Sequence, residues 1–297
     1  MAHVETENSS TVDLLDLRSI AVRVAEEAAA HVRARRPEVF GGVGASRVDD
    51  MESVQSKSTP TDPVTVVDTE TEQVVRSLLA ELRPDDRILG EEGGGAAESV
   101  RGIRWVVDPL DGTVNFLYGI PAYAVSVAVQ IDGISVAGAV VDVAREFTYS
   151  AALGHGATRS AADGSQTELR CNAVESASLA LLATGFGYGA ARRTAQGRLI
   201  GAILPRVRDV RRIGSAALDL CMVAAGQVDA HFEHGLSPWD WAAGALIAAE
   251  AGAQVHLPSA HTLSASGEVV FACAPGIAGE LHAIFDEVGA YTPIPDA

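Results

Sequence analysis

The run Arg104-Trp105-Val106-Val107 leads into Asp108-Pro109-Leu110-Asp111-Gly112-Thr113, which sets two carboxylates three positions apart where an apolar stretch ends, then adds a glycine and a hydroxyl. Two like charges this close repel unless a cation or strong donors neutralise them, so the pair suits a divalent metal held by hard oxygen ligands. Gly112 lets backbone approach a ligand, and the amides after it face an anion if a helical turn starts there. Metal and phosphate are the chemistry this spacing fits. Pro, Asp and Gly are also ordinary turn residues, so taken alone the segment reads equally as an Asp-rich turn.

Such residues need a frame. β-branched and aromatic residues make Arg104 to Val107 a short strand, and Pro109, which lacks a backbone donor, is expected to end its ladder pairing. Three further acidic residues stand at element ends: Asp68 before a helix, Glu91 after an Arg87 to Gly90 strand, and Asp240 in the first turn of a helix opened by Ser237 and Pro238. Each has a plain alternative, as a helix cap, a solvated loop charge and a partner of the helix dipole respectively.

Upstream, Leu17, Ala21, Val24, Ala28 and Val32 recur at helical spacing from Asp13, and that helix is expected to stop before Pro37. Residues 41 to 56 read as a loop. The capping-box spacing Thr69-x-x-Glu72 predicts a second helix with Val75, Leu78, Leu79 and Leu82 on one face. Ala124 to Ile131, an Asp132-Gly133 turn and Ile134 to Val141 form a hairpin that Phe147 to Ala152 extends. Beyond residue 153 short strands alternate with helices, and Glu233 falls between a Val228 to Phe232 strand and the Asp240 helix. The expected organisation is a mobile tail at 1–12, an α+β half at 13–153 and an α/β half at 154–297, packed as one unit of helices layered on two sheets.

With 297 residues, 47% of them hydrophobic, the chain can bury a large core. No apolar stretch reaches the length of a membrane span, and the N-terminus lacks the basic-then-apolar order of a secretory signal, so a cytoplasmic location away from membranes is expected. Cys171, Cys221 and Cys273 are scattered without metal spacing and read as reduced thiols. A formal charge of −17 argues against nucleic acid as a partner, and a phosphorylated substrate must then meet locally bound cations. The basic run Arg206, Arg208, Arg211 and Arg212 reads as a subunit contact or solvated face. His231-Phe232-Glu233-His234 has the wrong order for a helical H-E-x-x-H zinc site and lies partly on a strand, so no metal role is expected there.

In order along the chain, Lys57 to Asp68 reads K-x-x-P-x-D-x-V-T-x-x-D, Gly90-Glu91-Glu92 reads G-E-E, Asp108 to Thr113 reads D-P-L-D-G-T, Gly214 to Ala217 reads G-S-A-A, and Trp239 to Gly244 reads W-D-x-A-A-G. These five ordered motifs resemble the inositol monophosphatase family from about residue 13 to 290. Val114 replaces a frequent Thr and Tyr118 a frequent His. The G-T-x-N-F form of Gly112 to Phe116 is similar to monophosphatases rather than to nucleotide bisphosphatases, which tend to read G-T-K-E-F.

The resemblance implies a layered α/β/α/β/α sandwich and an Mg²⁺-dependent phosphoric monoester hydrolase sensitive to Li⁺. It implies two Mg²⁺ ions, one on Glu91, Asp108 and the Leu110 carbonyl, the other on Asp108, Asp111 and Asp240, with a third near Glu91 left open. Thr113, oriented by Asp68, and Glu91 would position the attacking water, and the Gly112 and Thr113 amides would cradle phosphate. Asp111, Ser215, the Ala216 backbone and Glu233 would face the polyol hydroxyls, beside Asp240. The role of Lys57 is not legible. The expected reaction converts an inositol monophosphate to myo-inositol and phosphate, in a homodimer. Histidinol phosphate, fructose 1,6-bisphosphate and adenosine 3′,5′-bisphosphate are rival substrates, and a regulatory protein-binding role is the rival from another class.

Overall fold

The computed structural model describes residues 12–41, 54–56, 63–95 and 100–296; apart from Val12, the expected N-terminal tail lies outside these residues, and so does Lys57. Helix α1 (Leu14–Phe40) is capped by Asp13, whose carboxylate accepts the Leu15 and Asp16 N–H groups. It does not stop before Pro37. The helix runs through it to Phe40, whose ring is fully buried edge-on against Phe116 with centroids 5.5 Å apart, and this packing offsets the lost donor. Part of the expected loop is a strand, β1 (Val54–Ser56), paired antiparallel with β2 (Pro63–Thr65).

Helix α2 (Val66–Leu82) starts earlier than the Thr69-x-x-Glu72 spacing predicts. Its N-cap is Thr65, and Asp68 is not before the helix but at its third position, returning a carboxylate oxygen to the Thr65 N–H at 2.9 Å. Pairing of β1 with β2 carries the extended backbone up to Thr65, and this sets which of the two equivalent spacings opens the helix.

A seven-stranded sheet follows, of β3 (Arg87–Gly90), β4 (Ile103–Asp111), β5 (Ala124–Ile131), β6 (Ile134–Asp142), β7 (Phe147–Ala152), β8 (Ala157–Ala161) and β9 (Gln166–Glu168), in that order; β3 and β4 are parallel and the rest antiparallel. Helix α3 (Thr113–Tyr118) interrupts the path between β4 and β5. The change of texture at residue 153 therefore falls inside this sheet. Strands β8 and β9 carry few apolar residues, β9 being exposed throughout, so periodicity does not announce them. The rest forms β10 (Leu181–Thr184), α4 (Ala190–Ile203), β11 (Asp209–Arg211), α5 (Ala216–Ala224), β12 (Ala230–His234), α6 (Pro238–Glu250), β13 (Gln254–His256), β14 (Val269–Cys273) and α7 (Ala278–Val288). Its five strands lie in the order β11-β10-β12-β14-β13, parallel on one side and antiparallel on the other.

Three apolar cores define the layers. α1 and α2 cover one face of the large sheet through Val24, Ala28 and Val75. α5 and α6 fill the space between the sheets through Leu220, Ala243 and Ile247. α4 and α7 close the far side through Ile203, Leu281 and Phe285. The result is the layered α/β/α/β/α sandwich.

Pro109 does not end β4. The register shifts between Asp108 opposite Ser126 and Asp111 opposite Ala124, so Pro109 and Leu110 together face a single residue. Pro109 sits in this bulge, where the ladder needs no donor. Residues three apart on a regular strand point to opposite faces; the extra residue turns Asp108 and Asp111 to the same side.

Candidate active site

The end of β4 is braced within itself and tied to the start of α5. The Asp108 carboxylate, 2% exposed, accepts the Leu110 N–H at 2.9 Å. Asp111 accepts the Ser215 hydroxyl at 2.6 Å and the Ala217 N–H at 2.7 Å, which locks it to the start of α5. Gly112 has φ +98°, and a Cβ there would lie 2.9 Å from the Ala122 carbonyl, so glycine is required by both conformation and space. Asn115 donates to the carbonyls of Ala122 at 2.7 Å and Ile213 at 2.9 Å, holding the Gly214-Ser215 segment against α3.

Two helix starts supply the next carboxylates. Asp68 accepts the Thr65 N–H on Oδ2 and the Thr113 hydroxyl on Oδ1, each at 2.9 Å; the Leu110 carbonyl is 3.0 Å from the same hydroxyl. Asp240 accepts the Ser237 N–H at 2.7 Å in a second capping box. Glu91 follows β3, its N–H on the Val107 carbonyl. The segment after it is held by Glu72, which sequence reading placed in a capping box. The Glu72 carboxylate, buried, accepts the Glu92 N–H at 2.7 Å and the Gly93 N–H at 2.8 Å and pairs with Arg76 at 2.7 Å. A Cβ on Gly90 or Gly93 would lie 2.5 Å from that carboxylate, so both glycines make room for it.

With the exception of Asp68, which stands behind Thr113, every residue to which the resemblance gives a metal, catalytic or substrate role lines one cavity of about 610 Å³. Glu91, Asp108, Asp111 and Asp240 all line it, the Glu91 charge reaching both Asp111 and Asp240, and Ser215, Ala216 and Glu233 share it. Burial raises Asp68 to about 6, the nearby Glu91 charge adding to it while bonds from Thr65 and Thr113 oppose it. Burial likewise raises Asp111 to about 6 against its bonds from Ser215 and Ala217, and lifts Asp240 well above its ordinary value, with Glu91 and Asp111 adding repulsion. Glu233 is raised to about 8 by burial, partly countered by Arg212.

A set of mutually repelling carboxylates lining one cavity, with oxygen donors only, fits a hard divalent cation, which would return each to its charged form. Among the described residues, the carboxylates and imidazole that come together with ligand atoms within 4.8 Å of one another are those of Asp219, His231 and Glu233, where no metal role was expected. Arg212 is not merely part of a solvated basic run: it lines the cavity, with Nη1 2.2 Å from where a Cβ on Gly214 would be. Arg206 and Arg211 do pair at the surface, with Glu287 and Asp209. No periodicity in the sequence separates Arg212 from its neighbours.

The sequence model of the inositol monophosphatase family matches residues 13–289. The chain is 58% identical over 285 residues to a Mycobacterium bovis protein named inositol-1-monophosphatase, covering 94% of this chain and 97% of that one. It is 38% identical to a Pasteurella multocida protein named Nus factor SuhB, over 80% of this chain and 87% of that one. The solved structure of Mycobacterium tuberculosis SuhB superposes with a TM-score of 0.79 at 51% identity, covering 94% of this chain and 99% of that one.

Proposed function

Because the chain belongs to the inositol monophosphatase family and is a phosphoric monoester hydrolase, we propose that it hydrolyses an inositol monophosphate to myo-inositol and phosphate with Mg²⁺. The observation that carries this reading is the single cavity that holds Glu91, Asp108, Asp111 and Asp240 together with Ser215 and Glu233. The first four, with the Leu110 carbonyl, would hold the cations. Bound there, Mg²⁺ supplies Lewis acidity toward the phosphate and lowers the cost of deprotonating water.

The protein's own part is orientation and proton handling. The Thr113 hydroxyl gives its hydrogen to Asp68, which leaves its lone pairs to accept a hydrogen from the attacking water, and the Glu91 carboxylate is the second acceptor. Gly112 admits the phosphate close to the backbone, where the Gly112 and Thr113 amides donate to its oxygens. At the alcohol end, Ser215, already on Asp111, the Ala216 backbone and Glu233 meet the hydroxyls of the ring.

The test is phosphate release from inositol 1-phosphate, histidinol phosphate, fructose 1,6-bisphosphate, adenosine 3′,5′-bisphosphate and glycerol 2-phosphate, with Mg²⁺ and with chelator. The expected result is Mg²⁺-dependent turnover with the highest kcat/KM on inositol 1-phosphate, and a preference for another member overturns the substrate assignment. The same reading makes the enzyme a cytoplasmic homodimer: its three free cysteines suit a reducing compartment, and light scattering of the purified chain tests the dimer. The relative named as a Nus factor favours a second, regulatory role through protein binding. Retention of that role by a variant without turnover, in cells lacking the native chain, is its test.

A further inference from the structure

His231 and Glu233 are two residues apart on β12 and so share a face, and Asp219 reaches them from the facing helix α5. The three are drawn together in the interior: His231 is 0% and Asp219 1% exposed, and Nδ1 of His231 stands 3.6 Å from Oδ2 of Asp219, too far for a hydrogen bond. Among the described residues neither ring nitrogen of His231 nor Oδ1 of Asp219 has a hydrogen-bond partner. Buried polar atoms are nearly always satisfied, so three orphaned atoms on two facing side chains call for a water or an ion between them.

We propose that Asp219, His231 and Glu233 form a separate site for an imidazole-seeking divalent metal of the Zn²⁺ or Co²⁺ class. An imidazole among two carboxylates distinguishes it from the all-oxygen Mg²⁺ set of Glu91, Asp108, Asp111 and Asp240, and selects borderline metals over Mg²⁺. Three protein ligands on one strand and one helix leave the fourth position to water or to a substrate hydroxyl, and Asp219 and Glu233 both line the cavity, which provides the entry path. Two carboxylates and a neutral ring also balance a dication, whereas in its absence burial opposes the charged form of both acids. In so far as Glu233 recognises the alcohol, a point that rests on the function proposed above, a metal here competes with that recognition without touching the Mg²⁺ ligands.

The experiment reads binding rather than turnover, so it stands or falls separately from the phosphatase assignment. Zn²⁺ is titrated calorimetrically into the full chain in excess Mg²⁺, and Co²⁺ is followed by its visible d–d absorption, which is intense for four-coordinate and weak for six-coordinate oxygen sites. The expected result is one Zn²⁺ equivalent and an intense Co²⁺ band in the native protein. Both are lost in His231→Phe, while its Mg²⁺-supported hydrolysis of glycerol 2-phosphate is retained. If His231→Phe shows no cooperative melting transition, His231→Gln is read instead and should lose the same equivalent. No zinc uptake by the native chain, or the same stoichiometry and band in a folded His231 variant, overturns the site.

Discussion

Glu72→Gln isolates how the Glu91 segment is held. The glutamate carboxylate bonds the Glu92 and Gly93 amides at 2.7 and 2.8 Å, and glutamine fills the same volume but offers one acceptor and one NH₂. One amide keeps its partner and the other faces a donor. A hydrogen bond to a buried charge contributes about 1.5–3 kcal/mol, so the segment loses roughly that much of its holding energy. If the displaced arrangement becomes the ground state, kcat falls by up to about 10- to 150-fold, since each ~1.4 kcal/mol is tenfold in rate. Because a cation on Glu91 pulls the segment back, the loss shrinks as Mg²⁺ is raised and the half-saturating Mg²⁺ concentration rises. Global stability falls by at most the same ~1.5–3 kcal/mol, which in a chain this large lowers Tm by only a few degrees, since the shift is about 2–4 °C per kcal/mol at 150–250 residues and shrinks with size. The assay is kcat, KM and Mg²⁺ half-saturation on inositol 1-phosphate beside a melting curve. A variant that melts lower while kcat and Mg²⁺ half-saturation stay native would refute the reasoning and leave Glu72 with a purely structural part.

Asp111→Asn keeps the shape of the side chain and one acceptor for Ser215 but removes the charge, so metal affinity and nearly all turnover should go together; full native activity in chelator contradicts this. Glu233→Ala should lower kcat/KM for inositol 1-phosphate by roughly 5- to 150-fold, the cost of an unpaired hydroxyl, and barely change glycerol 2-phosphate; an equal fall for both substrates would move Glu233 into the metal site or the fold. Gly185→Ala should have the same selective effect, because its Cβ would lie 2.0 Å from the Glu233 carboxylate, and unaltered discrimination between the two esters counts against that placement. In chelated protein, Asp68 and Asp111 raised to about 6 and Glu233 to about 8 contribute stability that is complete below their unfolded values and lost as pH rises through the folded ones. Melting temperature should therefore fall from roughly pH 4 to pH 8 on account of these groups, and the gain on adding Mg²⁺ should grow over the same range; a gain independent of pH speaks against cation relief of these carboxylates.

The candidate site was legible because its residues sit at element ends, where short motifs meet periodic runs: Glu91 follows β3, Asp108 and Asp111 close β4, and Asp240 lies in the first turn of α6. The misreadings at Pro37 and Pro109 share one cause. Proline is a local stop signal, and burial of Phe40 in one case and a strand bulge in the other overrule it through contacts with residues far along the chain. The four-residue error in the start of α2 arises because Thr65-x-x-Asp68 and Thr69-x-x-Glu72 satisfy the same rule, and only the pairing of β1 with β2 separates them. The local signals at Glu72, Arg212 and His231 pointed elsewhere, to a helix cap, a solvated basic run and a strand, and Asp219 had none. What places them is the packing of α2 beside the Glu91 segment and of α5 against β12, which no window of sequence contains.

Asp68 and Asp240 each spend one carboxylate oxygen on the backbone that opens a helix. Removing such a cap costs about 1 kcal/mol of fold stability whether or not the protein turns anything over. Selection for folding alone is thus enough to preserve two of the five acidic residues, Asp68 and Asp240, in a descendant that has abandoned catalysis. The informative positions for telling a working enzyme from a retired one are Glu91 and Thr113, whose side chains cap neither of these helices; decay should appear there first, while the helix-opening aspartates persist as a record of architecture.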